Sequence, residues 1–515
     1  MQMKIIAMTG VSGNMGREAL AQTMETEGVR ARILLTPKKK NDKLERELKK
    51  RYGDRIEVVR GQIYDADACK RLVSGADVAI HMAAVIPPRS DKDPKASYLC
   101  NYRGTVCLAD AVFSAVPQPK LIHISTVAVY GNRTLEHPWG RPGDPLLPAA
   151  YDYYALHKML AERYVMERGI RHWAVLRQTA MLYGGIVFNN ISDGLLFHTT
   201  LNGPLEWVTD RDSGYLIRRI VEKEIAGEND GFWNDVYDIS GGAENRCTGY
   251  DTFVEGFSVM SGSPQKYFKP SDCETRNFHG LWFADGTLQK MFGYQRNTFK
   301  DFWKATGKKY RVFKLARIVP AAAIRFFVFR RLLKDANTPA RWVKDGNTGR
   351  VIAAYGSMEA AKMLSGQWRD FRLERAEDHG AAEKDPKTAC KGRLLSHGID
   401  EGKRPEDWTI EDMRKAAEFR GGKCLSDQIG ATPYDKLEWQ CSEGHIFSAS
   451  PFTVLKGGHW CPECSPQPWR YDALAAKTPY YAQVWYDSHG KDERLRYWFD
   501  EAGNACWADE GKEEE

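Results

Sequence analysis

Apolar and polar positions alternate in blocks along the first 180 residues. Lys4–Met8, Ala31–Leu35, Ile56–Val59, Val78–Met82, Leu121–Ser125 and Trp173–Leu176 are short runs rich in Ile, Val, Leu and Ala. Each predicts a strand, and the intervening segments, roughly 20 to 50 residues long, carry helical periodicity. Strand–helix alternation predicts an α/β fold, a doubly wound Rossmann-type parallel sheet with its ligand at the carboxyl ends of the strands. Residues 1–182 are read as this Rossmann-type domain, and 183–305, more irregular and rich in Gly, Asn, Trp and Asp, as a smaller substrate-binding region. Residues 306–371 read as a basic, amphipathic helical extension, 372–403 as a polar linker, and 404–515 as a separate small unit ending in the acidic tail Glu513-Glu514-Glu515.

Composition changes this picture little. At 515 residues the chain has room for several domains, with 43% hydrophobic and 28% charged residues and a net charge of +6, as in an ordinary globular protein. That charge does not by itself point to nucleic acid. Eleven cysteines, an odd and scattered set with one tight pair at Cys461-Pro462-Glu463-Cys464, favour a reducing compartment and one metal site over a disulfide framework. Met1-Gln2-Met3-Lys4 runs straight into a strand, so no signal peptide is expected. Ile318–Phe329, the longest apolar stretch, is broken by Arg325 and falls short of the ~20 residues that span a bilayer. A cytoplasmic protein without a transmembrane segment is expected. Between Lys308 and Lys334, Phe313, Leu315, Ile318, Phe326, Phe327 and Phe329 stand among Arg and Lys. They suit either a helix packed on the core with snorkelling bases or a membrane-surface or partner-binding helix.

Two motifs carry the chemistry. Thr9-Gly10-Val11-Ser12-Gly13-Asn14-Met15-Gly16 directly follows the first strand and opens a helix. Gly10 permits the tight turn, Gly13 lets the backbone approach a pyrophosphate, and Gly16 allows close helix–strand packing. About 20 residues further on, where NAD sites place a carboxylate on the ribose, stands Thr36, followed by Lys38, Lys39 and Lys40. Lysines attract a 2′-phosphate that a carboxylate would repel, so NADP(H) is favoured over NAD(H). The second motif, Tyr154-Ala155-Leu156-His157-Lys158, puts a phenol and an ammonium on one helix face. The ammonium is expected to lower the phenol pKa, fitting it for acid/base work. Strand-end Ser125 and Thr126 are candidates for a third hydroxyl.

These stretches and four more resemble the extended short-chain dehydrogenase/reductases, a group that includes nucleotide-sugar epimerases. His81-Met82-Ala83-Ala84 is similar to the family's HxAA strand end, and Asn101-Tyr102-Arg103-Gly104-Thr105 to its NxxGT helix. Ser125–Gly131 resembles SSxxVYG, Tyr154–Lys158 with Glu162 resembles YxxSKxxxE, and Leu176–Gly184 resembles LRPxxVYG. The resemblance implies Tyr154 as acid/base, Lys158 as its partner and Thr126, four residues before Tyr130, as the catalytic hydroxyl. It implies cofactor contacts at Gly10, Ser12, Gly13, Asn14, Met15, Gly16, Thr36, Lys38, Lys39, Gln62, Ile63, Ala83, Ala84, Asn101, Tyr154 and Lys158. Gln62 stands where the family often has an Asp, His157 replaces a Ser and Gln178 a Pro. Sugar 4,6-dehydratases of the family carry an Asp-Glu pair after the strand-end Thr. Val127 and Ala128 stand there instead, and neither can transfer a proton.

The expected function is therefore an NAD(P)(H)-dependent oxidoreductase interconverting an alcohol and a ketone or aldehyde on a hydrophobic small molecule. A nucleotide-sugar epimerase with tightly bound NAD is the alternative, and a non-enzymatic, cofactor-sensing binding protein a second. The resemblance implies homodimers through the Tyr-bearing helix as one arrangement, and the oligomeric state stays open. Trp207, Tyr215, Phe232, Trp233, Trp282 and Phe283 could line an apolar pocket or pack a core.

Near the C-terminus, Cys441, His445, Cys461 and Cys464 could close a tetrahedral zinc site, with Cys424 or His459 as alternative fourth ligands. The stretch from Gly421-Gly422-Lys423-Cys424 to Cys464 resembles treble-clef or zinc-ribbon modules, some of which accompany nucleic-acid enzymes. Four ligands leave no open position, so the zinc is expected to be structural. Glu438, Glu443 and Glu463 oppose a phosphate contact, so the module is expected to fold on zinc without nucleic acid.

Overall fold

A computed structural model describes residues 3–190, 194–259, 262–364, 366–385, 388, 390 and 393–511. The acidic tail lies outside them. Seven parallel strands form the central sheet: β1 (Lys4–Thr9), β2 (Val29–Leu35), β3 (Ile56–Arg60), β4 (Val78–His81), β5 (Lys120–Thr126), β6 (Trp173–Gln178) and β7 (Asp235–Ile239). Their order is β7-β6-β5-β4-β1-β2-β3. The fold is the α/β, doubly wound Rossmann-type sheet that the alternation predicts. Ile6, Met8, Ile33, Ile80, Ile122 and Leu176 are buried to within 1% of full burial, as continuous apolar strands covered on both faces require.

Helices fill both faces. On one side α1 (Asn14–Thr23) packs against α6 (Asp210–Ala226), so closely that a Cβ on Gly214 would stand 2.8 Å from the Glu18 backbone. On the β2–β3 side lies α2 (Lys39–Tyr52), and the other face carries α3 (Ala66–Val73), α4 (Gly104–Ser114) and α5 (Tyr153–Glu167). Side-chain caps fix several starts: Asp65 accepts from the Asp67 and Ala68 amides, Asp152 from Ala155, and Thr209 from Asp212, each satisfying an orphan N–H. A small sheet of Arg246–Thr248, Pro204–Thr209 and Ala180–Leu182 is braced by the buried Glu206 carboxylate. It accepts from the Gly241, Gly242 and Phe283 amides and from Arg246. Phe232, Trp233, Trp282 and Phe283 are buried core residues, which answers the alternative of an apolar pocket for those four.

The segment after residue 371 packs down. Ala376, Ala381 and Cys390 are buried with Trp139 and Trp282. The C-terminal unit adds a helix at Ile410–Phe419, a three-stranded sheet of Lys423–Cys424, Leu437–Gln440 and Ile446–Ala449, and a hairpin of Leu495–Phe499 and Ala505–Asp509. It shares one apolar cluster with the Rossmann part, joining Leu156 and Met159 of α5 to Trp439, Trp460, Trp469 and Tyr480. Helix α5 is consequently buried nearly all round: Ala155, Leu156, His157, Lys158, Met159, Ala161, Glu162, Val165 and Met166 are all covered.

Candidate active site

The glycine turn closes as the motif requires. Gly10 adopts φ +75°, and a Cβ there would sit 2.5 Å from the Met82 carbonyl carbon, so the turn at this point admits only glycine. A Cβ on Gly16 would lie 2.3 Å from the Gly10 oxygen, so strand and helix meet backbone to backbone. The ends of β1 and β4 are laced together. Thr9 Oγ1 accepts from the Met82 and Ala83 amides, both at 3.1 Å, and meets His81 Nδ1 at 2.8 Å, whose Nε2 meets Thr105 Oγ1 at 2.9 Å. Burial holds His81 near pKa 3, so the ring is a neutral strut. The α1 N-terminus has Gly13 as its cap, with no side chain bonded to its amides and no acidic residue in the first turn. Its free donors and positive dipole end fit the pyrophosphate of a dinucleotide.

At the end of β2, Asn41 donates to both the Thr36 carbonyl and its hydroxyl, at 2.8 and 2.9 Å. Lys38 is the cap residue of α2 and Lys39 its first helical residue; neither Lys38 nor Thr36 caps the helix with a side chain. Both lysines are exposed. Three lysines at an uncapped helix start oppose the dipole, offset in part by Asp42 in the first turn, an arrangement that an anion would further relieve. Arg60 also reaches this corner, 3.5 Å from the Thr36 carbonyl, and is held by Asp42 and Glu45. Sequence spacing from Gly16 does not reveal that third-strand cation.

Two of the residues implied for the cofactor do other work. Asn101 is fully buried, and its amide group is spent on the Val85 N–H (2.7 Å), the Val85 carbonyl (2.9 Å) and Ser97 (3.1 Å). It pins the loop that carries Ala83 and Ala84. Ile63 is buried against Gly104, where a Cβ would lie 2.5 Å from its Cγ2. Gln62 is half-buried beside it at the end of β3, and Ser12, Gly13 and Asn14 are exposed while Met15 turns inward.

The two strand-end hydroxyls diverge. Thr126 stands close enough to the Tyr154 phenol to pull its pKa down, and its hydroxyl accepts from the Ala128 amide at 3.2 Å. Ser125 points the other way and donates to buried Glu162 at 2.5 Å. The pleat of β5 thus puts Thr126, and not Ser125, beside Tyr154. Burial pushes the Tyr154 phenol up to about 12, against the pull of Thr126. The expected lowering by Lys158 is absent in this arrangement. Lys158 is 1% exposed and donates to the Ile124 carbonyl at 2.5 Å, with His123 Nε2 at 3.3 Å. Burial pulls its own pKa down to about 8. Next to the N-terminus of α5, a small cleft is lined by Pro87, Asp91, Asp152, His198, Glu274 and Arg350. Arg350 sits 5.5 Å from the Tyr151 ring and 5.1 Å from Trp342.

The far side of α5 faces the C-terminal unit. Arg177 is fully buried and donates to Glu162 at 2.6 Å, to the Gly457 carbonyl at 2.6 Å and to Tyr130 at 2.8 Å. His459 Nε2 meets Glu162 at 3.0 Å. Burial alone would raise the Glu162 carboxyl; Arg177 and His459 overcome it and hold it at about 2. Arg163 donates to the Trp460 carbonyl at 2.5 Å, and Glu167 accepts from the Ser450 amide at 3.0 Å. A Cβ on Gly458 would lie 2.2 Å from the Asp144 oxygen, so the two parts meet there with no room for a side chain.

Two residues beyond His459, the four metal-ligand candidates converge. Cys441 Sγ, Cys461 Sγ and Cys464 Sγ lie 3.5, 3.6 and 3.4 Å from His445 Nδ1, and Cys441 and Cys464 are 3.8 Å apart. A tetrahedron with Zn–S of ~2.3 Å and Zn–N of ~2.0 Å has edges of about 3.5 Å for S–N and about 3.8 Å for S–S. The donor set fits that ion. The alternative ligands are elsewhere: Cys424 faces the Ser426 carbonyl, and His459 is engaged with Glu162.

Solved structures of similar fold include a UDP-glucuronic acid 4-epimerase from Bacillus cereus in complex with UDP-glucuronic acid and NAD. It is 17% identical, covering 60% of this chain and 99% of that one, with a TM-score of 0.47. A double mutant of a dTDP-glucose 4,6-dehydratase from Streptomyces venezuelae, with NAD bound, is 19% identical over 60% of this chain and 97% of that one, with a TM-score of 0.48. The first 182 residues, with the glycine turn, the strand-end Thr126 and the Tyr154–Lys158 helix, carry the family signal: residues 6–182 match the sequence model of the NAD dependent epimerase/dehydratase family.

Proposed function

We propose that this protein is a nicotinamide-dependent epimerase acting on a sugar nucleotide. The reading rests on one juxtaposition, the Thr126 hydroxyl facing the Tyr154 phenol, within a stretch that matches the epimerase/dehydratase family and also carries the glycine turn. Tyr154 takes the proton from the reacting carbinol oxygen and returns it. Thr126 fixes the direction of that oxygen by hydrogen bonding, and Lys158, swinging from the Ile124 carbonyl, brings a cation to the phenol and the ribose. A nicotinamide, when bound, supplies hydride acceptance and return. Val127 and Ala128 occupy the places of a proton-transferring pair and have no ionisable group, which supports epimerisation over elimination of water. The uncapped α1 start and its glycines would hold the pyrophosphate, with Gln62, Ala83 and Ala84 along the groove.

The lysines favour a second reading. Lys38 and Lys39 at the uncapped start of α2 suit an exchangeable NADP(H), and with it the net oxidation or reduction of an alcohol or ketone. The cluster of Cys441, His445, Cys461 and Cys464 is proposed to hold a structural zinc. The experiment is product analysis. Wild-type protein, supplied with NAD or NADP and a panel of sugar nucleotides, is followed by NMR. Isomer interconversion without net change in nicotinamide absorbance supports the epimerase. Stoichiometric cofactor turnover on an alcohol or ketone would replace it with the oxidoreductase.

A further inference from the structure

Residues 302–334 contain ten Lys and Arg and no Asp or Glu, and the chemistry of the nucleotide site makes no use of them. Helical turns from Ala321 to Leu332 set Phe329 and Leu332 into a buried cluster with Phe257, Tyr267 and Phe268. Ala321, Ile324 and Val328 pack at its margin. The inner face of this segment is therefore satisfied by the body of the protein. Its outer face is not. On it Phe327 is 72% exposed with Phe326 beside it, and the preceding turns, whose Phe313 packs against a different cluster, expose Val312, Leu315, Val319 and Ile318, the last 80% exposed. Six of the eighteen large apolar side chains exposed among the described residues thus fall between positions 312 and 327. Scattered exposed apolar residues need no explanation, but a concentrated group does.

The surrounding charge says what covers it. Arg325, Arg330 and Arg331 are exposed around the two phenylalanines, and Lys308, Lys309, Arg311 and Lys314 around Val312 and Leu315. Arg330 lies 5.1 Å from the Phe326 ring. None of these seven cations forms a salt bridge within 4.0 Å among the described residues, and only Arg325 acts on a carboxylate, that of Asp272. We propose that this surface docks on an anionic lipid bilayer, with Ile318, Phe326 and Phe327 at the level of the headgroups and the cations against lipid phosphates. A bilayer is the partner that offers both an apolar layer and anions at the right depth. Nucleic acid would match the cations but leave aliphatic side chains such as Ile318 and Val319 in water. A second copy of the chain would set ten cations against ten. Among the described residues no helix is long and apolar enough to cross a membrane, so the attachment lies on the surface. It stands independently of the proposed chemistry.

The test uses full-length protein and sedimentation with two kinds of vesicle, phosphatidylcholine alone and phosphatidylcholine doped with phosphatidylserine. The expected result is co-sedimentation with the anionic vesicles, lost as salt is raised. Phe327→Asp and Ile318→Asp are expected to abolish it. Arg330→Glu and Arg331→Glu each should weaken it by at least about fivefold. These side chains are exposed, so circular dichroism and melting temperature should match wild type. Equal sedimentation of Phe327→Asp and wild type on folded protein would overturn the proposal. So would binding of duplex DNA in preference to the anionic vesicles, or a dimer that Phe327→Asp dissolves.

Discussion

Two centres of this molecule are built from short, spaced motifs, and they are held in different ways. The residues proposed for the nucleotide site hang from the ends of a seven-stranded sheet with a dense core. Gly10, Thr9, His81 and Thr126 are fixed by backbone contact and hydrogen bonds that exist without any ligand. Cys441 and His445 lie in the turn between the short strands Leu437–Gln440 and Ile446–Ala449, and Cys461 and Cys464 in a later turn, where three sulfurs and an imidazole crowd together. A cation at its centre, as proposed, would hold such a cluster together. The comparison teaches that the second centre is not an appendage of the first. Glu162, on the Tyr154 helix itself, and Arg177 of β6, both fully buried, draw His459 and the Gly457 carbonyl of the C-terminal unit into one network. What folds the C-terminal unit also packs the helix that carries Tyr154.

Breaking the metal side should have the largest effect. Chelation, or Cys461→Ser, is expected to remove a binding free energy on the order of 10 kcal/mol and to lower the melting temperature of the whole chain. Metal content and a thermal melt check this. A melt that stays unchanged after chelation would detach the module from the fold. Next comes the chemistry itself: Tyr154→Phe should reduce kcat/KM by about 10²–10⁴-fold, the usual contribution of a positioned acid/base, with the melting temperature held.

The shared network gives the third test. Glu162→Gln leaves Arg177 buried without its carboxylate and should cost about 3–5 kcal/mol, read from denaturant unfolding. Because the Glu162 pKa falls from an ordinary 4.5 to about 2 on folding, its stabilisation is complete above pH 4.5. It is lost as pH drops from 4.5 towards 2. The variant should flatten that acid limb; a limb identical to wild type would place the acid sensitivity elsewhere. The smallest effect is at the ribose corner. Lys38→Glu and Lys39→Glu should each shift the NADPH-to-NADH affinity ratio by about fivefold towards NADH, and less at high salt. No shift would reduce these lysines to a solvated surface.

Much of the first centre was legible in the chain. All six strands read from apolar runs are present within a residue or two of the expected ends, because runs buried on both faces announce themselves. The seventh, Asp235–Ile239, was hidden by Asp235 and Asp238, which interrupt the apolar pattern. Choosing Thr126 over Ser125 from its distance to Tyr130 agrees with their opposite orientations on β5. The direction of Lys158 was not legible, since it depends on the Ile124 carbonyl and His123 across the helix–sheet interface. Nor was the module's seat on α5. One signal existed: Tyr153–Glu167 has apolar residues on every side, and a helix without a polar face has a second partner. His459 looked like a spare ligand because its partner, Glu162, lies 297 residues away.

The account turns on Tyr154 acting reversibly on a sugar carbinol. NMR of wild type and Tyr154→Phe, each with cofactor and a matched sugar nucleotide, measures it most directly. The prediction is isomer interconversion by wild type with no net change in nicotinamide absorbance, and its loss in a variant that still melts normally and still binds cofactor. Net cofactor turnover by wild type, or undiminished interconversion by Tyr154→Phe, would contradict it.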